Sequence, residues 1–267
     1  MEKILGLLFP LTYIVFLILE RMFPARALVP VPHWRLKGFV FFLVGGAIVN
    51  TLPLLWRDWV SAHRLIDLDS WGTAGGALAA IVFSNLLDWC RHRLQHALPV
   101  LWRFHQMHHS SERLEVATAF YFHPVDTIGY TVVSTFLAAF VVGVNMEAAI
   151  LSGYFLFAST IFTHANIRSP HWLGYLISRP EAHAVHHEAG VHRYNYGSLP
   201  LWDMLFGTFR NPREWNAQSG FWHGASSRLG DLLLGKNVVT RPAPQSQHPG
   251  GAPHQPEHAT GPLRQAE

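Results

Sequence analysis

One cysteine, Cys90, occurs in 267 residues. A lone thiol excludes an internal disulfide framework and a thiolate zinc site of the CxxC…CxxC kind. It fits a reducing compartment. Charge is scarce as well: Asp, Glu, Lys and Arg make up 14% of the chain, against about 25% in soluble domains. The net charge is only +3, and the basic residues are scattered among hydrophobic segments. That gives nucleic-acid binding little support and makes a membrane surface the expected partner of these side chains. No HExxH motif is present, and no internal repeat appears beyond two similar histidine motifs. What the chain has in excess is apolar sequence, at 49%, and histidine, at 18 residues.

A helix that crosses a bilayer needs about 20 mostly apolar residues. Five segments qualify or nearly so: Ile4 to Leu19, Gly38 to Leu55, Gly72 to Leu87, Thr127 to Val144 and Ala148 to Phe162. The first is interrupted by Pro10; its weak basic n-region and the lack of a small-residue cleavage site argue against a secretory signal. The third is rich in Gly and Ala, which suits close helix packing. Only Asn145, Met146 and Glu147 separate the last two, which form a spanning or re-entrant hairpin. The fold class expected is therefore all-α: an integral-membrane bundle of about four to five spanning or re-entrant helices with a cytoplasmic histidine-rich helical cap. Three regions follow: an N-terminal membrane hairpin over 1–70, a catalytic membrane and cap domain over 71–215, and a C-terminal segment over 216–267. The Pro-, Gln-, Gly- and His-rich sequence after about residue 240 is expected to be disordered.

The positive-inside rule gives an orientation. Arg21, Arg26, Arg35 and Lys37 lie between the first two segments, and Arg91, Arg93 and Arg103 follow the third. Arg168, Arg179, Arg193, Arg210 and Arg213 follow the fifth. All are expected on the cytoplasmic side.

The histidines fall into HRLQH (His92, His96), HQMHH (His105, His108, His109) and HAVHH (His183, His186, His187). Residues three and four apart share a helix face, so HxxxH sets two imidazoles side by side and HxxHH sets three on one face. Neutral imidazole is a ligand for iron, zinc, copper and nickel. Eight such groups exceed the four ligands of a structural zinc or the three of a catalytic one; two metals with about four ligands each fit better. His164, in FTHAN at the end of the last segment, is a candidate ninth. Glu112 and Glu115 follow the second cluster, Glu181 precedes the third and Glu188 follows it; these carboxylates are candidates to orient imidazole N–H groups. His123, in YFHP, either lines a substrate pocket with Phe120, Tyr121 and Phe122 or plays a structural part. His171, His192 and His223 are not expected to be ligands.

Taken together, DWCRHRLQH, LWRFHQMHHSSE and PEAHAVHH, followed by NYG and LWDMLFGTF, resemble the fatty acid hydroxylase superfamily, also called the sterol desaturase family. The resemblance covers roughly residues 86–211. It implies a cytoplasm-facing non-haem centre of two iron ions that uses O2 and two electrons to hydroxylate or desaturate a lipid. It carries metal binding onto the eight motif histidines and less directly onto His164, and gives Asn195 and Asp203 a packing or hydrogen-bonding role near the site. It also implies a separate electron donor, a reductase with a small redox carrier. Two other classes stand beside it. A zinc-dependent membrane hydrolase would attack a carbonyl or phosphoryl centre with metal-bound hydroxide. A metal transporter would place ionisable residues within the spans.

Overall fold

Prolines set where the short helices begin. Leu98, His123, Arg179 and Leu199 are extended, as a residue before proline tends to be, and Pro99, Pro124, Pro180 and Pro200 open the helices that follow. At that position the missing N–H would have had no intrahelical partner. The computed structural model describes residues 2–241, with side chains from residue 6 onward. The disorder expected after about residue 240 lies outside the described residues, apart from their last position.

The elements run α1 (Glu2–Met22), α2 (Trp34–Thr51), α3 (Arg57–His63), α4 (Gly72–Ala97), α5 (Pro99–His109), α6 (Pro124–Thr131), α7 (Ala138–Val141), α8 (Met146–His164), α9 (Pro180–His186), α10 (Pro200–Leu205) and α11 (Leu229–Leu233). A π-helical segment, Val132–Leu137, joins α6 to α7. Two short parallel strands, β1 (Ile66–Asp67) and β2 (Val142–Gly143), tie the segment after α3 to the one before α8. The fold is thus mostly helical.

Among the described residues, four stretches are long and apolar enough to cross a membrane: Trp34–Leu55, Asp69–Ala97, Pro124–Val141 and Met146–His164. They overlap the last four segments read from the sequence with shifted ends, α4 running on past Leu87 to Ala97. α1 runs unbroken through Pro10 to Met22; the ring removes one backbone hydrogen bond without ending the helix. Leu11, Ile14 and Ile18 of α1 and Phe39, Val40 and Leu43 of α2 stay exposed. Such faces match hydrocarbon rather than water, and the chain is a multi-pass membrane protein.

Small residues let the helices approach. A Cβ on Gly76 of α4 would lie 3.2 Å from Ala148 Cβ of α8, and one on Gly38 of α2 only 2.6 Å from Ala117 Cβ. An aromatic seam then joins α1, α2 and α8: Tyr13 stacks on Phe42 at 4.8 Å, and both meet Phe120, which packs on Phe157. A second buried cluster, with Trp34, Met107, Tyr121, Leu232 and Val238, joins α2 and α5 to the C-terminal segment. The two clusters clamp the α5–α6 connection, fixing the helix that carries HQMHH.

Candidate metal centre

Nine buried or half-buried imidazoles converge where α4, α5, α8 and α9 meet. They form two groups: His92, His96, His105, His109 and His186, and His108, His164, His183 and His187. Within each group the possible ligand atoms lie within 4.8 Å of one another. The groups abut, since the rings of His109 and His187 stack with centroids 4.4 Å apart.

The two HxxHH motifs divide between the groups in opposite senses. On α5, His105 and His109 enter the first group and His108 the second. On α9 and its C-terminal residue, His183 and His187 enter the second group and His186 the first. The shared face expected from the spacing therefore straddles both groups: the i,i+4 pair faces one and the i+3 residue the other. Neighbouring histidines in sequence serve different groups, which links the two rigidly.

The tautomers are set from outside. His92 Nδ1–H donates to the Tyr196 carbonyl at 2.7 Å, and His186 Nδ1–H to the Tyr194 carbonyl at 2.8 Å. His105 Nδ1–H donates to the Asp126 carboxylate at 2.7 Å, and His164 Nδ1–H to the Thr160 carbonyl at 2.8 Å. Each bond leaves the Nε2 lone pair bare and turned toward its group. In the second group His164 Nε2 lies 3.1 Å from His108 Nε2 and 3.0 Å from His183 Nε2, and His183 Nε2 lies 3.2 Å from His187 Nε2. In the first, the buried Nε2 atoms of His92, His96 and His186 have no hydrogen-bond partner.

Lone pairs that face one another with no proton between them repel unless a cation lies among them. For metal–nitrogen bonds of about 2.1 Å, neighbouring ligand nitrogens at right angles stand roughly 3.0 Å apart, close to the 3.0–3.2 Å observed. Protonation does not relieve the repulsion near neutrality. Burial first, then neighbouring imidazoles, holds His108, His109, His183, His186 and His187 well below the usual histidine range. They stay neutral, the form that binds metal. The donor sets fit two metal ions.

The other residues singled out in the sequence are distributed differently. Glu112 does not reach the imidazoles of either group. It accepts from His223 Nδ1, Gly224 N–H and the Ser226 N–H and hydroxyl, tying the turn at 224–226 to the end of α5. Glu115 pairs with Arg113 and Arg35, and Glu188 accepts from the Trp215 indole. Glu181 accepts from Ser169 and pairs with the buried Arg179 at 3.0 Å. Glu112, Glu115 and Glu188 lie past the helix ends, where the chain turns away, and Glu181, though on α9, is taken up by Ser169 and Arg179.

Asn195 and Asp203 act one step back. Asp203 accepts from the Trp89 indole, the Tyr196 and Gly197 N–H groups and the Thr208 hydroxyl. Burial raises its pKa. Asn195 donates to the Ala182 carbonyl and accepts from Arg210 N–H. Together they pin a loop in which His192, Tyr194 and Asn195 all have positive φ, a conformation that costs roughly 1–3 kcal/mol per residue. That loop supplies the carbonyls that orient His92 and His186.

Of the pocket candidates, only Phe122 lies against a cluster imidazole, stacking on His108 at 3.9 Å. Phe120 belongs to the aromatic seam, and the buried Tyr121 donates its hydroxyl to the Ser226 carbonyl. His123 caps α6: its Nδ1 accepts from Val125 N–H and its Nε2–H donates to the Leu233 carbonyl.

Two participants were not anticipated. Asp126, held also by Arg91 and Gln95, orients His105; its one sequence signal is an acid at the mouth of an apolar segment. His192 lies with Nδ1 3.1 Å from His109 Nδ1, reached through the strained loop rather than by helical spacing. The histidine-rich cap expected at one end of the bundle is continuous with the spans. His92 and His96 are on α4, inside one apolar stretch, and His164 ends another. α4 has 26 residues, about 39 Å at 1.5 Å each, against a hydrocarbon core of about 30 Å, so its last turns clear the core.

The profile of the fatty acid hydroxylase family matches residues 77–208, a stretch that contains all nine histidines. An ornithine lipid hydroxylase of Rhizobium tropici is 31% identical over 179 residues, 63% of this chain and 53% of the relative. The alkylglycerol monooxygenase of Homo sapiens is 32% identical over 132 residues, 46% of this chain and 28% of the relative. A delta(7)-sterol 5(6)-desaturase of Gibberella zeae is 30% identical over 181 residues, 64% of this chain and 54% of the relative. The chain thus spans about half or less of the length of these curated relatives. No solved structure matches it significantly. Through residues 77–208 and the histidine pattern they hold, the chain belongs to the fatty acid hydroxylase family.

Proposed function

We propose that this chain is a membrane di-iron oxygenase that hydroxylates or desaturates a lipid. The observation that carries this reading is the pair of abutting, all-imidazole groups, in which His92, His105, His164 and His186 have Nδ1 engaged outside the group and Nε2 left for a metal. The reading assigns His92, His96, His105, His109 and His186 to one metal ion and His108, His164, His183 and His187 to the other. Two irons bound there would supply O2 activation and the oxidation of an unactivated C–H bond.

The chain's own residues then do four things. The imidazoles hold both ions as neutral ligands. Asp126 and the Tyr194 and Tyr196 carbonyls keep the rings turned inward. Phe122, stacked on His108, and the aromatic seam behind it exclude water and offer an apolar wall to an alkyl chain. Asp203 and Asn195 hold the strained loop in place.

Hydroxylation consumes one O2, two electrons and two protons and yields an alcohol and water; desaturation uses the same oxidant and reductant and yields an alkene and two waters. The electrons are assigned to a separate reductase with a small redox carrier. The positive-inside rule assigns the histidine end to the cytoplasm, with Arg21, Arg35, Arg103 and Arg193 near it. The relatives named for an ornithine lipid, an alkylglycerol and a sterol support a lipid substrate. A zinc hydrolase is disfavoured, because five imidazoles in one group exceed the three ligands plus water of a catalytic zinc.

The test is turnover under 18O2 with iron-loaded protein in lipid nanodiscs, a ferredoxin-type reductase system and a total-lipid extract. The account expects O2-dependent products that either carry the label as an alcohol or have lost two hydrogens. Hydrolysis products that form equally well without O2 would overturn it.

A further inference from the structure

At the histidine end of the bundle, α1 and α8 stop and α2 begins around a cleft of about 220 Å³. Its lining includes Glu20, Arg21, Arg26, Arg35, Arg113 and Glu115, with Asn166 beside them. Four guanidiniums accompany two carboxylates, so positive charge is in surplus. Glu115 is already paired with Arg113 at 2.8 Å and Arg35 at 3.4 Å. Arg35 nevertheless keeps 54% of its side chain exposed. Arg26 stacks on Trp215 at 4.3 Å. Neither Arg21 nor Arg26 has an ion-pair partner among the described residues.

The same cleft has uncommitted acceptors. Glu20 Oε1 and Asn166 Oδ1 are buried without a hydrogen-bond partner. Both side chains are otherwise fixed, because Glu20 Oε2 accepts from Val116 N–H at 2.8 Å and Asn166 Nδ2 donates to the Arg26 carbonyl at 2.9 Å. Leaving a buried acceptor bare is costly, and a ligand that brings an O–H or N–H relieves that cost. Free guanidiniums recognise an oxyanion. The height is also right, since the ends of apolar helices lie at the level of lipid headgroups.

The cleft adjoins the histidines. Asn166 follows His164 by two residues, so their Cα atoms are at most about 7 Å apart. A second cleft of about 120 Å³ shares Arg26 and Asn166 with the first and reaches Pro180 and Glu181, just before His183. The groove is therefore lined by Ala165 and Asn166, which follow His164, and by Pro180 and Glu181, which precede His183.

The geometry points to this groove as the seat of an anionic lipid headgroup that also carries hydroxyl or amine donors, held beside the histidine centre by Arg21, Arg26 and Arg35. The assignment rests on the reading that the chain acts on a lipid, and it names the headgroup chemistry that the lipid must have.

The test is calorimetric titration of the full-length, metal-loaded protein in micelles with three probes: dihexanoyl phosphatidylglycerol, dihexanoylglycerol and inorganic phosphate. The phosphatidylglycerol should bind at least about tenfold more tightly than either of the others. At about fivefold for each guanidinium removed, the Arg21→Gln, Arg26→Gln double variant should weaken it roughly twenty-five-fold. Arg26→Lys should retain most of the affinity, and metal content should not change. If the double variant loses metal through misfolding, Arg35→Gln provides the same comparison, with the loss about fivefold. Equal binding of phosphatidylglycerol and dihexanoylglycerol would overturn the assignment, as would unchanged affinity in the variants. Phosphate binding as tightly as the lipid would replace it with a free-anion site. Failure of the oxygenase reading shows separately, as absent iron or absent O2 turnover with headgroup binding intact.

Discussion

Replacing Asp126 by Asn probes whether the carboxylate behind His105 governs metal binding. Asp126 Oδ2 accepts from His105 Nδ1–H at 2.7 Å, and Oδ1 accepts from Arg91 at 3.0 Å and from Gln95. The amide is nearly isosteric but neutral, so His105 becomes a poorer donor to the metal and Arg91 is left with Asp88 as its remaining carboxylate partner, at 2.8 Å, beside Gln95. Losing a carboxylate that orients a ligand imidazole typically costs 10–100-fold in metal affinity, or about 1.4–2.7 kcal/mol. Because His105 belongs to only one group, the loss should fall on one of two ions. Anaerobic titration of metal-free protein with ferrous ion against a chelator reads this directly. Wild type should show two sites, and the variant one site unchanged and one weakened by about that factor. A variant isotherm that overlays wild type, or that loses both sites equally, would refute the proposed coupling of Asp126 to a single ion.

Other outcomes follow from the same geometry. His108→Ala should remove the ion of the second group and His186→Ala that of the first, each variant keeping about one ion by elemental analysis, even though each residue adjoins a histidine of the opposite group. Gly38→Ala would bring a Cβ within 2.6 Å of Ala117, and such overpacking should cost about 1–3 kcal/mol, measured as a lower thermal midpoint with metal stoichiometry unchanged in the protein that folds. Tyr121→Phe deletes a buried hydrogen bond to the Ser226 carbonyl and should cost about 1–2 kcal/mol of stability while leaving product identity alone; a changed product would return Tyr121 to the substrate pocket. Metal-free protein should lose stability as pH falls below about 6.5. His108 and His186 have folded pKa values below that ordinary value, and His192 is lowered to about 4, so the unfolded chain takes up protons first. The stability is full above pH 6.5 and is lost progressively on acidification toward pH 4. A thermal midpoint that rises over that interval would contradict it.

Much of this was legible in the sequence. Apolar length located the candidate spans because a bilayer demands it, and HxxHH spacing put each motif's histidines on one helix face. The partition between the two groups was not legible. Helical spacing defines a face, but only the opposing helix decides which imidazole of that face meets which partner. The acids misled for a related reason: Glu112 and Glu181 are close to histidines along the chain, whereas Asp126 arrives from the start of another helix. The carbonyls of Tyr194 and Tyr196 and the approach of His192 depend on positive-φ backbone at non-glycine residues, which no local propensity announces.

The central claim is that two neighbouring imidazole groups hold two irons. Metal analysis with Mössbauer spectroscopy on protein grown with iron-57 tests it most directly. The account predicts about two irons per chain, with His108→Ala and His186→Ala each removing one. A single tightly held zinc that survives both substitutions would contradict it.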